Sequence, residues 1–363
     1  MSKHCFILGT RPEIIKLFPV IKYCIDNNIE YFIIHTNQHY SENMDAVFFR
    51  ELSLPYPKYN LGINGGNHWI MTGKMMGSIE KILLSEIPDI VYIQWDTNTV
   101  LAGALVASKI PWIKVAHIEA GLRSYDRSMP EEINRIVTDH ISDILFVPTE
   151  KQRTILLSEW ISHDKIIVTG NTIVDAVLYI SRIAKKDTGK ILEKYWVKAD
   201  EYILLTSHRP SNVDQKETLK DILLWVENIA KNIQKRIIFP VHPRTKKNII
   251  SFWLEKLISN FIVIEPVWFY ENIILESNAS MIITDSGGIQ EEWCVLQKKT
   301  LILRDNTERP ETLDVGGAIL VWNNITRIIE WFNTLKDRDV SWYNPFWDGK
   351  SAEHIISFVQ WIK

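Results

Sequence analysis

The sequence predicts an α/β protein of two doubly wound parallel sheets facing a central cleft. Three observations carry this. Short β-branched runs alternate with longer amphipathic stretches along the whole chain, the signature of parallel β-α-β winding. The alternation passes through six strands, meets a polar stretch from about Lys185 to Asp200, and passes through six more. At 363 residues the chain is too long for one compact core and about right for two domains. The domains are expected at 1–180 and 181–350.

Each element has its own warrant. In the first half the strands are CFILG (5–9), YFIIHT (31–36), IVYIQ (90–94), WIKVAH (112–117), ILFVP (144–148) and KIIVTG (165–170). They are near-continuous apolar runs, as expected of strands covered on both faces. Between them, PEIIKLFPVIKYCIDN (12–27) and TGKMMGSIEKILLSE (72–86) carry helical periodicity. The second half repeats the scheme with YILLTS (202–207), RIIFPV (236–241), FIVIE (261–265), MIIT (281–284), TLIL (300–303) and AILV (318–321). The stretch KETLKDILLWVENIAKNIQ (216–234) is one of its helices. The last helix, SAEHIISFVQWIK (351–363), gathers Ile355, Ile356, Val359 and Trp361 on one face, which predicts docking on another element.

Composition excludes several classes. Apolar residues make 46% and charged residues 23%, the mix of a globular protein. The net charge is −3, so the chain is no bulk polycation for nucleic acid or acidic membranes. No apolar run reaches the roughly 18 residues of a membrane span. The opening MSKHCFILGTRPE meets an arginine and a glutamate too early for a signal-peptide core. Cys5, Cys24 and Cys294 are odd in number and far apart, which reads as buried reduced thiols in a cytoplasmic protein and not as a disulfide set or metal site. No metal and no cofactor is expected.

In open parallel sheets ligands sit beyond the carboxyl ends of the strands, so residues just after strands are the candidates. Gly9-Thr10-Arg11-Pro12-Glu13 follows a strand and opens a helix. Its free amides and dipole favour an anion, with Arg11 and Lys16 adding charge. The plain alternative is a helix start with surface cations. Asp285-Ser286-Gly287-Gly288 also joins a strand to a helix. Its paired glycines let backbone N–H groups approach a phosphate, and Glu292, a turn into the helix, can accept both hydroxyls of a ribose. The alternative is a tight turn with a capping serine.

An acidic set lies in the first half. Asp96 and Glu119 follow strands, and Glu131 opens the helix after Pro130. Carboxylates around one sugar carbon can divide base and acid roles if their environments separate their pKa values. Helix-start acids and a solvated turn are the bland readings. Ser207-His208-Arg209 puts a histidine at a strand end, where it can act on a substrate or hold a phosphate. His117 and His242 also end strands, and His117 is expected to be structural. Arg304-Asp305-Asn306-Thr307-Glu308-Arg309-Pro310-Glu311 is either a surface turn tied by ion pairs or the rim of an anion site.

These segments occur in a fixed order: GTRPEIIK, NQHYSENM, Asp96-Thr97-Asn98-Thr99, HIEAGLRS, MPEEINR, TGNTIVDA, SHRPSN, VHPRT, TDSGGIQEE, RDNTERPET and NPFWDGKSAEHI. The chain resembles the non-hydrolysing UDP-N-acetylglucosamine 2-epimerases from about residue 4 to its C-terminus. The resemblance implies the glycosyltransferase-B (GT-B) architecture, two Rossmann-like domains with the C-terminal helix 351–363 crossing back to the first. It implies reversible interconversion of UDP-GlcNAc and UDP-ManNAc, a UDP-sugar as the bound partner and a homodimer. By motif, Asp96, Glu119, Glu131 and His208 match the catalytic set. Arg11, Ser286, Gly287 and Gly288 match the diphosphate site, Glu292 the ribose contact, and Lys16 and Arg209 further substrate contacts. Gln38 and His242 match the site where some members bind a second UDP-GlcNAc as an allosteric activator. The family's second basic residue after its His-Arg pair is Pro210 here, a departure from that pattern.

The chemistry explains why such groups are needed. The C2 proton has no adjacent carbonyl, and the chain has no nicotinamide fingerprint to create one. The accessible route is elimination: UDP leaves C1 while a base takes the C2 proton, giving a 2-acetamidoglucal, and re-addition with protonation on the other face inverts C2. Three other readings compete. These are a 2-epimerase of a modified UDP-HexNAc such as a diacetamido uronic acid, a glycosyltransferase on the same fold, and a non-catalytic UDP-sugar-binding protein.

Tryptophan is abnormal. Glycine numbers 15 and tryptophan 14, and together they come close to the roughly 7% share that glycine alone usually has. Trp95, Trp160, Trp268, Trp322 and Trp347 stand where the resembled family usually has glycine. Glycine serves positive φ or close backbone approach, and an indole supplies neither. The pattern predicts glycine-type backbone at these sites, with UGA codons read as glycine as its origin.

Overall fold

The computed structural model describes residues 2–37, 49–307, 309–321, 330, 332–334, 341–346 and 348–362. The chain divides into two compact units, residues 1–176 with 346–363, and residues 177–345. The first unit holds a parallel sheet of seven strands in the order β3-β2-β1-β4-β5-β6-β7. These are β1 (His4–Leu8), β2 (Tyr31–His35), β3 (Tyr59–Asn60), β4 (Ile90–Gln94), β5 (Lys114–Ile118), β6 (Ile144–Val147) and β7 (Ile166–Val168). The second unit holds six parallel strands in the order β10-β9-β8-β11-β12-β13. They are β8 (Tyr202–Thr206), β9 (Arg236–Pro240), β10 (Ile262–Ile264), β11 (Met281–Thr284), β12 (Thr300–Ile302) and β13 (Ala318–Leu320).

The twelve expected strands are all present, with β3 added. That strand is two residues long and pairs only with β2, Ile34 opposite Tyr59, so no apolar run marks it. Helix α1 spans Arg11–Asp26 and α2 spans His68–Glu86. The latter begins earlier than periodicity alone indicates because the Asn67 side chain accepts the Ile70 N–H and caps it. Helices α3 (Asn98–Ala107), α4 (Pro130–Ile141), α5 (Glu150–Ser158) and α6 (Thr172–Ala184) complete the wrapping. The second unit adds α7 (Thr188–Lys194), α8 (Pro210–Val213), α9 (Lys216–Asn232), α10 (Pro243–Ser251), α11 (Phe269–Asn278), α12 (Gly287–Leu296) and α13 (Glu311–Asp314). The polar stretch 185–200 is thus partly helical, and its Leu192, Tyr195 and Val197 are buried in the core of the second unit.

Both sheets are covered on both faces. Ile7, Ile34, Val91, Ile93 and Val115 pack on Met75, Ile79 and Leu83 of α2 and on Val100 and Ala104 of α3. At Gly103 a Cβ would come within 3.1 Å of Ile7 and 3.2 Å of Ile93, so α3 lies close on the sheet because that residue has no side chain. In the second unit Ile203, Leu205, Ile237 and Phe239 face Leu219, Leu223, Val226 and Ile229 of α9. Cys5, Cys24 and Cys294 are buried free thiols.

The last helix, α14 (Ser351–Trp361), packs against α1. Ile355, Ile356 and Val359 form the buried face, and Trp361 points outward. Helical position therefore placed three of its four expected contact residues correctly. The Asp175 carboxylate accepts the N–H groups of Ser351 at 3.2 Å and Ala352 at 3.0 Å, capping the helix start. No helix among the described residues is long and apolar enough to cross a membrane.

Candidate active site

Each sheet reverses its winding direction once, between β1 and β4 in the first unit and between β8 and β11 in the second. Loops diverge at such points and leave room for ligands. One buried carboxylate ties the two loops together at each. In the first unit Glu13 accepts from Gly9 N at 2.9 Å, Thr10 Oγ1 at 2.8 Å and Thr97 Oγ1 at 2.7 Å. In the second, Asp285 accepts from Ser207 Oγ at 2.9 Å, His208 N at 2.9 Å, Arg209 N at 3.0 Å and Asn212 Nδ2 at 3.0 Å.

The first unit gathers the acidic set. Asp96 and Glu119 leave adjacent strands, since Gln94 pairs with Ile118 across β4 and β5. Asp96 is buried, and Arg135 Nη2 donates to its Oδ2 at 2.6 Å. Its Oδ1 is buried with no hydrogen-bond partner among the described residues. Burial pushes this carboxyl up to about 7, against the pull of Arg135, and the neighbouring Glu119 and Glu131 push the same way. Glu131 lies half-buried in the first turn of α4, where the helix dipole favours an acid. Its neighbour Glu132 is occupied otherwise. Burial would raise its pKa, but Ser124 N, Ser124 Oγ, Tyr125 N and Arg135 all bind it and hold it below the usual range.

Glu119 is the most constrained of the three. Its φ is 65°, a strained region for a residue with a side chain. Lys16 Nζ donates to Oε1 at 2.6 Å, Asn171 Nδ2 reaches the same oxygen at 3.3 Å, and Gln94 Nε2 donates to Oε2. Lys16, expected as a substrate contact, is buried and engaged with Glu119, whereas Arg11 at the start of α1 is exposed. His117 has both ring nitrogens engaged, Nδ1 with Asp139 at 2.7 Å and Nε2 with the Trp95 carbonyl at 2.8 Å, which suits its expected structural role. Arg135, Gln94 and Asn171 escaped the sequence reading. Arg135 alone had a local signal, its (i, i+3) spacing from Glu132.

The second unit gathers a histidine and a helix start. His208 Nδ1 lies 3.1 Å from Asp285 Oδ1. A proton on Nδ1 then points at the carboxylate and leaves Nε2 as the free acceptor. Burial would raise the Asp285 pKa, but His208 and the Arg209 and Asn212 donors hold it below the ordinary carboxylate value. Arg209 Nε donates to the Asp285 carbonyl at 3.0 Å. His242 caps α10 with Nδ1 and sits beside His208, ring centroids 5.4 Å apart. Burial and the neighbouring His208 hold its pKa down. Gln38 lies outside the described residues.

Ser286 precedes α12, and no side chain caps that helix. The first-turn amides at Gly287 and Gly288 therefore have no intrahelical partner, the arrangement that receives an anion. Glu292, one turn on, accepts from Asn272 at 3.4 Å and neighbours Glu276. Burial and the neighbouring Glu292 raise the Glu276 pKa well above the ordinary range. In the charged segment after β12, Arg309 Nε binds Glu291 at 2.8 Å inside the fold. That residue is an ion-pair tie, but a buried one and not part of a surface turn.

Comparison with known proteins places the chain in a family. The family model of UDP-N-acetylglucosamine 2-epimerase matches residues 23–360. The UDP-N-acetylglucosamine 2-epimerase of Methanocaldococcus jannaschii is 54% identical over 99% of this chain and 100% of its own length. The crystal structure of the enzyme from that organism with UDP-GlcNAc and UDP superposes with a TM-score of 0.87, covering 99% of both chains. A UDP-2,3-diacetamido-2,3-dideoxy-D-glucuronate 2-epimerase of Pseudomonas aeruginosa is 37% identical over 97% of each chain. Matched end to end in sequence and in fold, this chain belongs to the UDP-N-acetylglucosamine 2-epimerase family of isomerases.

Proposed function

We propose that this enzyme interconverts UDP-GlcNAc and UDP-ManNAc by eliminating UDP to a 2-acetamidoglucal and adding it back with the opposite configuration at C2. The observation that carries the reading is Asp96, a buried carboxyl held near pH 7 with two further carboxylates around it. A group with that pKa takes and returns a proton with little bias at neutral pH, which suits acid–base work in both directions. Glu119, fixed by three donors, and the half-buried Glu131 supply the other first-unit groups. His208, oriented by Asp285, supplies a further group in the second unit. The uncapped start of α12 with Arg209 beside it suits the departing diphosphate, and Glu292 suits the ribose.

The balance is closed. The C1–O bond to UDP breaks as the C2–H bond is lost to a carboxylate and the C1=C2 bond forms; on re-addition UDP returns to C1 on the face it left, while a proton is delivered to C2 on the opposite face, so C2 alone is inverted. The names of the relatives support UDP-GlcNAc over the diacetamido sugar, because 54% identity to the former exceeds 37% to the latter. Incubation with UDP-GlcNAc in deuterated water, followed by NMR, tests this. UDP-ManNAc carrying deuterium at C2 is expected. Product retaining the original proton overturns the elimination route, and turnover of only the diacetamido uronate overturns the substrate.

A further inference from the structure

Among the described residues four tryptophans occupy left-handed backbone: Trp95 at φ 77°, Trp160 at 66°, Trp196 at 55° and Trp253 at 61°. This region is costly for any residue with a Cβ, and a bulky aromatic residue there is an outlier. Three of the four share one local structure. Trp160, Trp196 and Trp253 each stand two residues past the end of a helix, α5, α7 and α10. In each case two hydrogen bonds close the helix end. Trp160 N donates to Leu157 O and Ile161 N to Leu156 O, both at 3.1 Å. Trp196 N donates to Glu193 O at 2.9 Å and Val197 N to Leu192 O at 3.1 Å. Trp253 N donates to Ile250 O at 3.1 Å and Leu254 N to Ile249 O at 3.0 Å.

That double closure is the Schellman motif, and the position the tryptophans fill is the one glycine dominates. The accompanying apolar contact is present as well: Ile161, Val197 and Leu254 are buried, as are Leu156, Leu192 and Ile249. The motif is intact in every respect except its central residue. The indoles gain nothing in return, for they are 96%, 83% and 84% exposed. At Asn28 the same closure ends α1 with asparagine, the usual substitute for glycine. Trp95 differs in place but not in kind. Its N–H donates to Ile118 O at 3.2 Å and its carbonyl accepts from His117 at 2.8 Å, so the backbone is pinned from both sides. Trp268 does not belong to the group. Its φ is −77° with ψ 164°, ordinary extended backbone, so the glycine expectation lapses there. Trp322 and Trp347 lie outside the described residues.

We infer that the polypeptide made in its own host carries glycine at positions 95, 160, 196 and 253, each tryptophan there representing a UGA codon that the host translates as glycine. The inference rests on backbone geometry and on the shortage of glycine, not on the reaction proposed above. At position 95 it changes the candidate site, because the indole lies 6.0 Å from Lys16 Nζ, next to the Lys16–Glu119 pair. Glycine leaves that side of the acid set open.

Peptide masses of the protein purified from its native host decide the matter. Glycine masses at the four positions are expected, and tryptophan masses there overturn the inference, as do UGG codons in the gene. A stability measurement on recombinant protein gives an independent reading. The combined variant Trp160→Gly, Trp196→Gly and Trp253→Gly should melt at a higher temperature than the tryptophan-bearing chain. Trp225→Gly, at a buried position inside α9, should melt lower. A lower melting temperature for the combined variant overturns the inference.

Discussion

Replacing Asp96 by asparagine should sharply lower turnover and at the same time stabilise the protein at alkaline pH. The carboxyl rises from its ordinary 3.8 to about 7 on folding, mainly through burial. Below pH 3.8 it is protonated in both folded and unfolded chains. Between 3.8 and 7 the unfolded chain releases the proton and the folded chain keeps it, so stability falls as pH rises, and it levels off above 7. The full difference is about 4 kcal/mol. Asparagine resembles the protonated acid in shape and never ionises, so Asp96→Asn escapes this loss. Arg135 is not stranded, because Glu132 still holds its Nη1 at 3.0 Å. At pH 8 the variant should therefore be more stable by up to about 4 kcal/mol, a rise of several degrees in Tm. The advantage should shrink as pH falls toward 5, while turnover drops on the order of 10²-fold or more at every pH. Thermal melts of both proteins from pH 5 to 8, with NMR assays of UDP-ManNAc formation, provide the comparison. A variant no more stable than the parent at pH 8, or one with near-normal turnover, refutes the reasoning.

Further outcomes follow from the same geometry. Glu131→Gln and His208→Asn should each lower kcat by on the order of 10²-fold with unchanged circular dichroism, and near-normal rates in both would remove these residues from the acid–base set. Asp285→Asn should lose stability by a few kcal/mol, since Ser207, His208, Arg209 and Asn212 all donate to this carboxylate. Its pKa is depressed by folding, so the stability it contributes is present above the ordinary carboxylate pKa and is lost as pH falls through the folded value. Denaturant titrations at pH 7 and pH 3 should show the parent–variant gap narrowing on acidification, and a constant gap would contradict the assignment. Trp95→Gly should raise turnover, because left-handed backbone suits glycine and the indole beside Lys16 is removed. A rate equal to or below that of the parent counts against a glycine requirement at this position.

The sequence by itself determined the winding and the positions of the candidate residues after the strands. Parallel strands buried on both faces must be apolar throughout, so IVYIQ and YILLT announce themselves, and a doubly wound sheet then places reactive residues after strands. Asp96, Glu119, His208 and Ser286 were found by that rule alone. The spacing of Ile355, Ile356 and Val359 likewise announced the docking face of α14, because helical periodicity is a local property. Tertiary structure decided what each candidate touches. Lys16 reads from sequence as a free cation for an anion, yet it lies 2.6 Å from Glu119, more than a hundred positions away. Trp361 has the right period for the buried face but falls in the last turn of α14, where it is 81% exposed. Strand β3 exists only because β2 presents an open edge to two residues without any apolar signal. Gln94, Asn171 and Arg135 entered the site through hydrogen bonds to partners on other elements. The pKa of Asp96 was beyond any reading of the sequence for the same reason. Its neighbours along the chain are Trp95 and Thr97, whereas the burial, the arginine and the two glutamates that set its proton affinity all come from folding.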